Sequence, residues 1–97
     1  MPTYVTLLNW TGKGIQNVKD TTKRFQEGTA LFEQMGIKIL SFHWTSGRYD
    51  AIVISEAPDD ETASAVALAL GSQGNVRTET LRAFSSEEMD RILSKMP

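Results

Sequence analysis

The feature that most constrains this chain is a glycine-bearing turn between two apolar, β-branched segments near its middle. Residues 45–56 contain Gly47 and then enter the run Ala-Ile-Val-Ile, and the apolar residues 37–44 precede them. β-Branched and aromatic residues favour strands, and a glycine between two such runs is typical of a hairpin turn. The sequence therefore predicts an antiparallel β-hairpin around which the other elements are arranged.

The chain on either side of this hairpin predicts two more strands and three helices. Apolar residues spaced by three and four from Ile15 onward indicate one continuous helix that ends at Gly36, a glycine suited to a left-handed stop. The alanine-rich second helix follows an acidic start, and a capping box from Ser85 to Glu88 opens the short last one. The other predicted elements are a first strand over residues 3–10, a second helix over about residues 60–70 and a fourth strand over residues 76–83.

The resulting order β-α-β-β-α-β is that of the ferredoxin-like split βαβ fold, in the α+β class. It predicts a four-stranded antiparallel sheet with helices on one face, followed by a short C-terminal helix. Right-handed crossovers would place the first strand between the third and fourth, with the second strand beyond the third.

Composition limits the classes of protein to which this chain belongs. Its 97 residues suit a single domain, residues 1–97, and 40% apolar with 23% charged residues is typical of a globular chain. A net charge of −2 gives no basic surface, so nucleic acid is not the expected partner. The chain has no cysteine and a single histidine, so we expect no disulfide and no metal site. We also expect no cofactor. With no secretory signal or bilayer-length apolar run, we expect a cytoplasmic protein without a membrane partner.

Both faces of the predicted hairpin are apolar, whereas a lone sheet covered on one side should have a polar second face. The simplest cover is a second copy of the chain, sheet against sheet, so we expect a homodimer. Phe42, Trp44 and Val53, or their neighbours on the same face, would lie between the sheets. Strict alternation assigns to that face Leu40, Phe42, Trp44, Tyr49, Ala51 and Val53. It assigns to the other face Ile37, Ile39, Ser41, His43, Asp50, Ile52 and Ile54.

Four short motifs resemble the GYD domain family. They are Gly47-Arg48-Tyr49-Asp50, Asn9-Trp10-Thr11, Glu56-Ala57-Pro58-Asp59-Asp60 and the stretch from Gly74 to Phe84. The resemblance covers nearly the whole chain and implies a ferredoxin-like dimeric α/β barrel from bacteria or archaea, with a largely uncharacterised function. The chain is more distantly similar to the ligand-binding domain of leucine-responsive regulators. Neither resemblance supplies catalytic residues to transfer.

The predicted topology brings the distinctive polar and aromatic side chains to one edge of the sheet. The first two strands end there, the last two begin there, and the first helix starts beside them. We therefore expect a small anionic or aromatic molecule to bind at this edge. The expected binding residues are Asn9, Trp10, Lys13, His43, Tyr49 and Asp50.

His43 and Asp50 are the candidates for catalysis, because an aspartate beside a histidine can orient the imidazole and increase its basicity. The alternative is that His43 is an ordinary, partly buried histidine and Asp50 a turn residue that accepts backbone N–H groups. No serine or cysteine nucleophile accompanies the pair.

Three classes of function remain open from the sequence. The first is a dimeric module that binds or senses a small molecule. The second is a cofactor-independent enzyme, similar to the monooxygenases or isomerases with a dimeric α/β barrel, that uses His43 or Asp50. The third is a purely structural assembly protein. The fold alone does not choose among them.

Overall fold

The predicted strands pair into one antiparallel sheet in the computed structural model, which describes all 97 residues. The spatial order is β2-β3-β1-β4, so the predicted α+β, ferredoxin-like topology is confirmed. The elements are β1 (Thr3–Trp10), α1 (Gly12–Gln16), a 3₁₀ turn (Val18–Asp20), α2 (Thr21–Gln34), β2 (Lys38–Trp44), β3 (Ala51–Glu56), α3 (Asp60–Ser72), β4 (Val76–Ala83) and α4 (Ser86–Ser94).

The buried core lies on the sheet face covered by α2 and α3. Tyr4 of β1, Phe32 of α2, Ile37 and Ala57 form one cluster, and each is at most 8% exposed. Side chains from α3, among them Val66, pack against the same cluster. Both long helices therefore share one face of the sheet, as the sequence predicts.

A β-bulge in β2 changes the face on which one of its residues lies. Ile39 pairs with Ser55, but Ser41 pairs with Ile54, so Leu40 is an extra residue in the ladder. Because a bulge interrupts the alternation of side chains, Ile39 packs against the core on the helix-covered side. The strict alternation assumed from the sequence was wrong for Ile39, and also for Ile37, which lies in the buried cluster on the same side.

The aromatic residues predicted to lie between two sheets are instead covered by a helix. The ring of Phe42 is 4.3 Å from that of Phe25 in α2, and Trp44 lies 5.4 Å from the same ring. Val53 pairs with Phe42 and lines the same side. The placement of Phe42, Trp44 and Val53 between sheets was therefore wrong, because the apolar face of α2 packs on them.

The opposite side of the sheet, here called the open face, is covered by neither α2 nor α3. Register places on it Val5 and Leu7 of β1, Ile52 and Ile54 of β3, and Leu81 of β4. Leu81 is 48% exposed. The centre of the open face is thus apolar, so these residues support the argument that another molecule covers it.

The single long helix expected from the first helical pattern is divided in two. Asn17 has φ −106° and ψ 21°, values outside the helical range, and separates α1 from the 3₁₀ turn and α2. Its side-chain amide donates to the carbonyl of Lys13, a local bond that competes with helix continuation. Gly36 has φ +88°, so the predicted left-handed stop is confirmed.

The hairpin turn has its centre at Gly47, as predicted. Trp44 pairs with Ala51 across the turn, and Gly47 has φ +143°, a region that favours glycine. The hydroxyl of Thr45 donates to the carbonyl of Tyr49, which closes the loop.

The last helix is well capped but poorly covered. Ser85 and Glu88 form the predicted capping box, while Met89 and Leu93 stay 45% and 48% exposed. None of the helices combines the length and the apolar character that crossing a membrane would need.

Candidate functional site

An apolar cavity lies between the sheet and the two long helices, and we call it the cleft. Its volume is about 170 Å³, and 17 of its 26 lining residues are hydrophobic. Small side chains leave this space open, because Gly28 of α2 and Ala63 and Ala67 of α3 face the sheet. The arrangement resembles the usual small-molecule site, an apolar cavity with a few polar groups.

Three aromatic rings form one end of the cleft. The centroids of Phe42 and Trp44 are 4.9 Å apart with an edge-to-face geometry, and Phe25 is within 5.4 Å of both. The indole Nε1 of Trp44 donates to the hydroxyl of Thr21 at 3.2 Å, which fixes β2 to the start of α2. Trp44 is 41% exposed, so this aromatic end is open to solvent, and we call it the mouth of the cleft.

Arg24 is the only charged residue that lines the cleft. It lies in the first turns of α2, and its Nη1 donates to the carbonyl of Asn17 at 2.8 Å. No carboxylate lies within 4.0 Å of it, since the sole ion pair of the structure joins Arg82 to Glu88. The mouth therefore carries one positive charge without a negative partner.

The cleft also contains a buried hydroxyl without a hydrogen bond. The Oγ1 atom of Thr29 is buried and has no partner in the structure. Two other hydroxyls of the lining, those of Thr6 and Thr80, are 3.4 Å apart and can pair with each other. Buried polar atoms are nearly always hydrogen-bonded, so this hydroxyl is suited to a polar group of a bound molecule or to a water.

Tyr4 closes the inner end of the cleft. Its hydroxyl donates to the carboxylate of Asp60, and this bond, together with burial of the phenol, raises the pKa of Tyr4. The guanidinium of Arg82 lies 5.8 Å from the centroid of the Tyr4 ring. A second cavity of about 380 Å³ lies beyond Tyr4, between α3 and Phe84.

Asp50 binds backbone groups at the end of β1. Its carboxylate Oδ2 accepts from the Trp10 N–H at 2.9 Å, and its own N–H donates to the carbonyl of Leu8 at 2.9 Å. This is the turn-residue arrangement that the sequence left open as the alternative to catalysis. No hydrogen bond or ion pair joins His43 to Asp50.

The sheet separates the other residues predicted to converge at its edge. Trp10 lines the cleft, whereas register places Asn9 opposite Arg77 and His43 opposite Ile52 on the open face. The hydroxyl of Tyr49 donates to the Glu79 carboxylate at 3.2 Å, and Glu79 also belongs to the open face.

Lys13 is bound to a neighbouring loop. Its Nζ donates to the carbonyl of Gln73 at 3.0 Å, just after α3. The hydroxyl of Thr11 accepts from the Gly14 N–H and so caps α1. The expected anion contact at this loop is thus occupied, in part, by bonds within the protein. No group of three histidine, aspartate or glutamate side chains is arranged to hold a metal ion.

Arg24 and Thr29 were not predicted as site residues. On the sequence they belong to an ordinary amphipathic helix, and no local motif distinguishes them. The sequence feature that could have predicted the cleft is the set of small residues on both helices, Gly28 in α2 and the alanines of α3. Small residues at these positions leave space between the helices and the sheet.

Comparison with known proteins gives the same fold and a family. The family model described as GYD domain matches residues 4–93. The protein named glutamine synthetase and cystathionine beta-lyase binding protein from Thermus thermophilus is 31% identical over 85 residues, which cover 87% of this chain and 90% of that protein. The crystal structure of TTHA0845 from the same organism superposes with a TM-score of 0.56 at 24% identity, over 89% of this chain and 96% of that one. The family match and the Thermus relative together show that this chain belongs to the GYD domain family.

Proposed function

We propose that this protein is a binding module that takes up a small molecule in the cleft between its helices and its sheet. The observation that carries the proposal is the cleft itself, an apolar cavity of about 170 Å³. The unpaired Thr29 hydroxyl supports it independently, because it gives a bound molecule a polar group to contact. Neither of the catalytic candidates, His43 and Asp50, lines the cleft, so the proposal is binding without catalysis.

Toluene is a suitable first probe for this proposal, followed by NMR of the side-chain methyl groups. We expect concentration-dependent shifts at methyl groups that line the cleft, such as those of Val53 and Val66, and none at those of Leu81 on the open face. Ala67→Phe, which fills the cleft, should abolish these shifts. Ala65→Phe is the matched control, because Ala65 is exposed on the same helix and is not a lining residue. Equal responses in both variants, or no shifts at the solubility limit of toluene, would refute the proposal.

We further propose that the module is a homodimer joined through the open face. Val5, Leu7, Ile52 and Ile54 give this face an apolar centre that no long helix covers. Sedimentation should show a dimer for the wild type and a monomer for Ile54→Lys. The same change at Ile15, which is 50% exposed in α1, should leave the dimer intact. A monomeric wild type would exclude this assembly.

A second candidate function, binding to an enzyme, is favoured by the Thermus relative, whose name describes a protein that binds glutamine synthetase and cystathionine beta-lyase. The apolar side of α4 offers a contact surface, since Met89, Ile92 and Leu93 are each more than a third exposed. Calorimetry with each purified enzyme tests this. We expect binding that is lost in Leu93→Glu and kept in Ser94→Glu, and no heat with either enzyme would exclude this function. We expect this protein to meet both its small-molecule ligand and any enzyme partner in the cytoplasm.

The edge site predicted from the sequence remains a separate proposal. His43 and Tyr49 would contact a ligand on the open face, while Asp50 would act through the Trp10 backbone. The enzyme alternative, with His43 or Asp50 as base, has no specific observation in its favour.

A further inference from the structure

We propose that the molecule bound in the cleft has a single aromatic ring and one negatively charged group, and that Arg24 binds this charge. This inference rests on the proposed binding function and adds the chemical class of the ligand. It follows from the size of the cleft, the rings at its mouth and the charge beside them.

The size of the cleft selects a small ring. Engineered apolar cavities of about 150 Å³ bind benzene, and the cleft has about 170 Å³. A molecule with one ring therefore fills most of this volume, and its remaining atoms must extend toward the mouth.

The mouth provides surfaces for such a ring. Phe42 and Trp44 meet edge to face at 4.9 Å, which leaves ring faces and edges for a further aromatic contact. Aromatic pairs at such distances attract each other beyond the effect of burying their area. Since Trp44 is 41% exposed, the bound ring would cover an indole that now faces solvent.

Arg24 supplies the charge selectivity. It lies next to Phe25, one turn after Thr21, the residue that Trp44 contacts. A guanidinium has five N–H donors, and the contact to the Asn17 carbonyl uses only Nη1. The remaining donors match the two oxygens of a carboxylate, and no protein carboxylate is within 4.0 Å to compete for them.

Phenylacetate and its neutral analogue phenylacetamide test the inference. We expect wild type to bind the acid at least about tenfold more tightly than the amide. This is the difference in affinity that one charge-assisted hydrogen bond contributes. Arg24→Gln should lower the affinity for the acid to that for the amide, and Arg24→Lys should restore part of it. Arg77→Gln is the matched control, because Arg77 lies on the open face and should have no effect.

Two kinds of failure are distinguishable. If acid and amide bind the cleft equally in wild type, or Arg24→Gln leaves their ratio unchanged, the assignment of the charge is wrong and the cleft remains a binding site. If neither compound nor toluene shifts the cleft resonances, the binding function itself is wrong. Arg24→Lys also guards against misfolding, since it keeps a donor for the Asn17 carbonyl.

Discussion

Replacing Thr29 by valine should stabilise the unliganded protein. The Oγ1 atom of Thr29 is buried without a hydrogen bond, and desolvating an unpaired hydroxyl costs about 1–3 kcal/mol. Valine has almost the same shape and a helix propensity close to that of threonine, so removal of this cost is the main change.

A gain near the lower end of this range, about 1 kcal/mol, corresponds to a rise in Tm of about 4–8 °C for a domain of this size. Differential scanning calorimetry of both proteins without ligand measures it. Thr22→Val is the matched control, because Thr22 is exposed on the same helix and should shift the Tm little.

The sign of the change decides the interpretation. If Thr29→Val lowers the Tm, the hydroxyl is hydrogen-bonded in solution, to a water or to the backbone, and it is not a free contact for a ligand. If the variant is more stable but binds a hydroxyl-bearing cleft ligand more weakly than wild type, the cost of this hydroxyl is offset by ligand binding.

Three further changes test individual parts of the structure. Gly14→Ala should destabilise the protein by more than about 1 kcal/mol in urea unfolding, because the added Cβ would lie 1.9 Å from the Asn75 carbonyl oxygen. Gly12→Ala is the control and should not destabilise it, because a Cβ at Gly12 would meet no atom within 4 Å. Gly47→Val should cost about 1–3 kcal/mol, because valine is strained at φ +143°, and an unchanged denaturation midpoint would contradict this. The Ser85 N–H and Arg82 lower the pKa of Glu88, so its contribution to stability should decrease as the pH falls from the titration range of an unfolded glutamate through the lowered pKa of the folded state. Glu88→Gln should remove that dependence in pH-resolved unfolding.

Local patterns were sufficient to predict the strands and their order. β1 and β4 have the predicted bounds, Thr3–Trp10 and Val76–Ala83, because alternation and β-branched residues act within a single strand. The glycine at the hairpin and the capping box at Ser85 likewise act within a few residues. Right-handed crossovers then fixed the order of the sheet.

The features that were missed depend on contacts between distant segments or on competing local bonds. The bulge at Leu40 moved Ile39 to the helix side, and no residue in β2 marks it. The break at Asn17 depends on side-chain bonding that competes with helix continuation despite a good apolar period. The cleft arises where Gly28 and the alanines of α3 meet the sheet, which requires knowing how the helices pack.

The residues predicted to form one edge site lie on two different faces of the sheet. A single ligand can therefore distinguish between a site in the cleft and a site on the open face. Neighbours in a strand point to opposite faces, so Trp10 and Trp44 lie on the cleft side, and Asn9 and His43 on the open face. Arg24 belongs to the cleft, and His43 belongs to the predicted edge site. In phenylacetate titrations, Arg24→Gln should weaken binding about tenfold or more while His43→Ala leaves it unchanged. The reverse result would place the ligand on the open face, where it would compete with the proposed dimer contact and weaken it as measured by sedimentation.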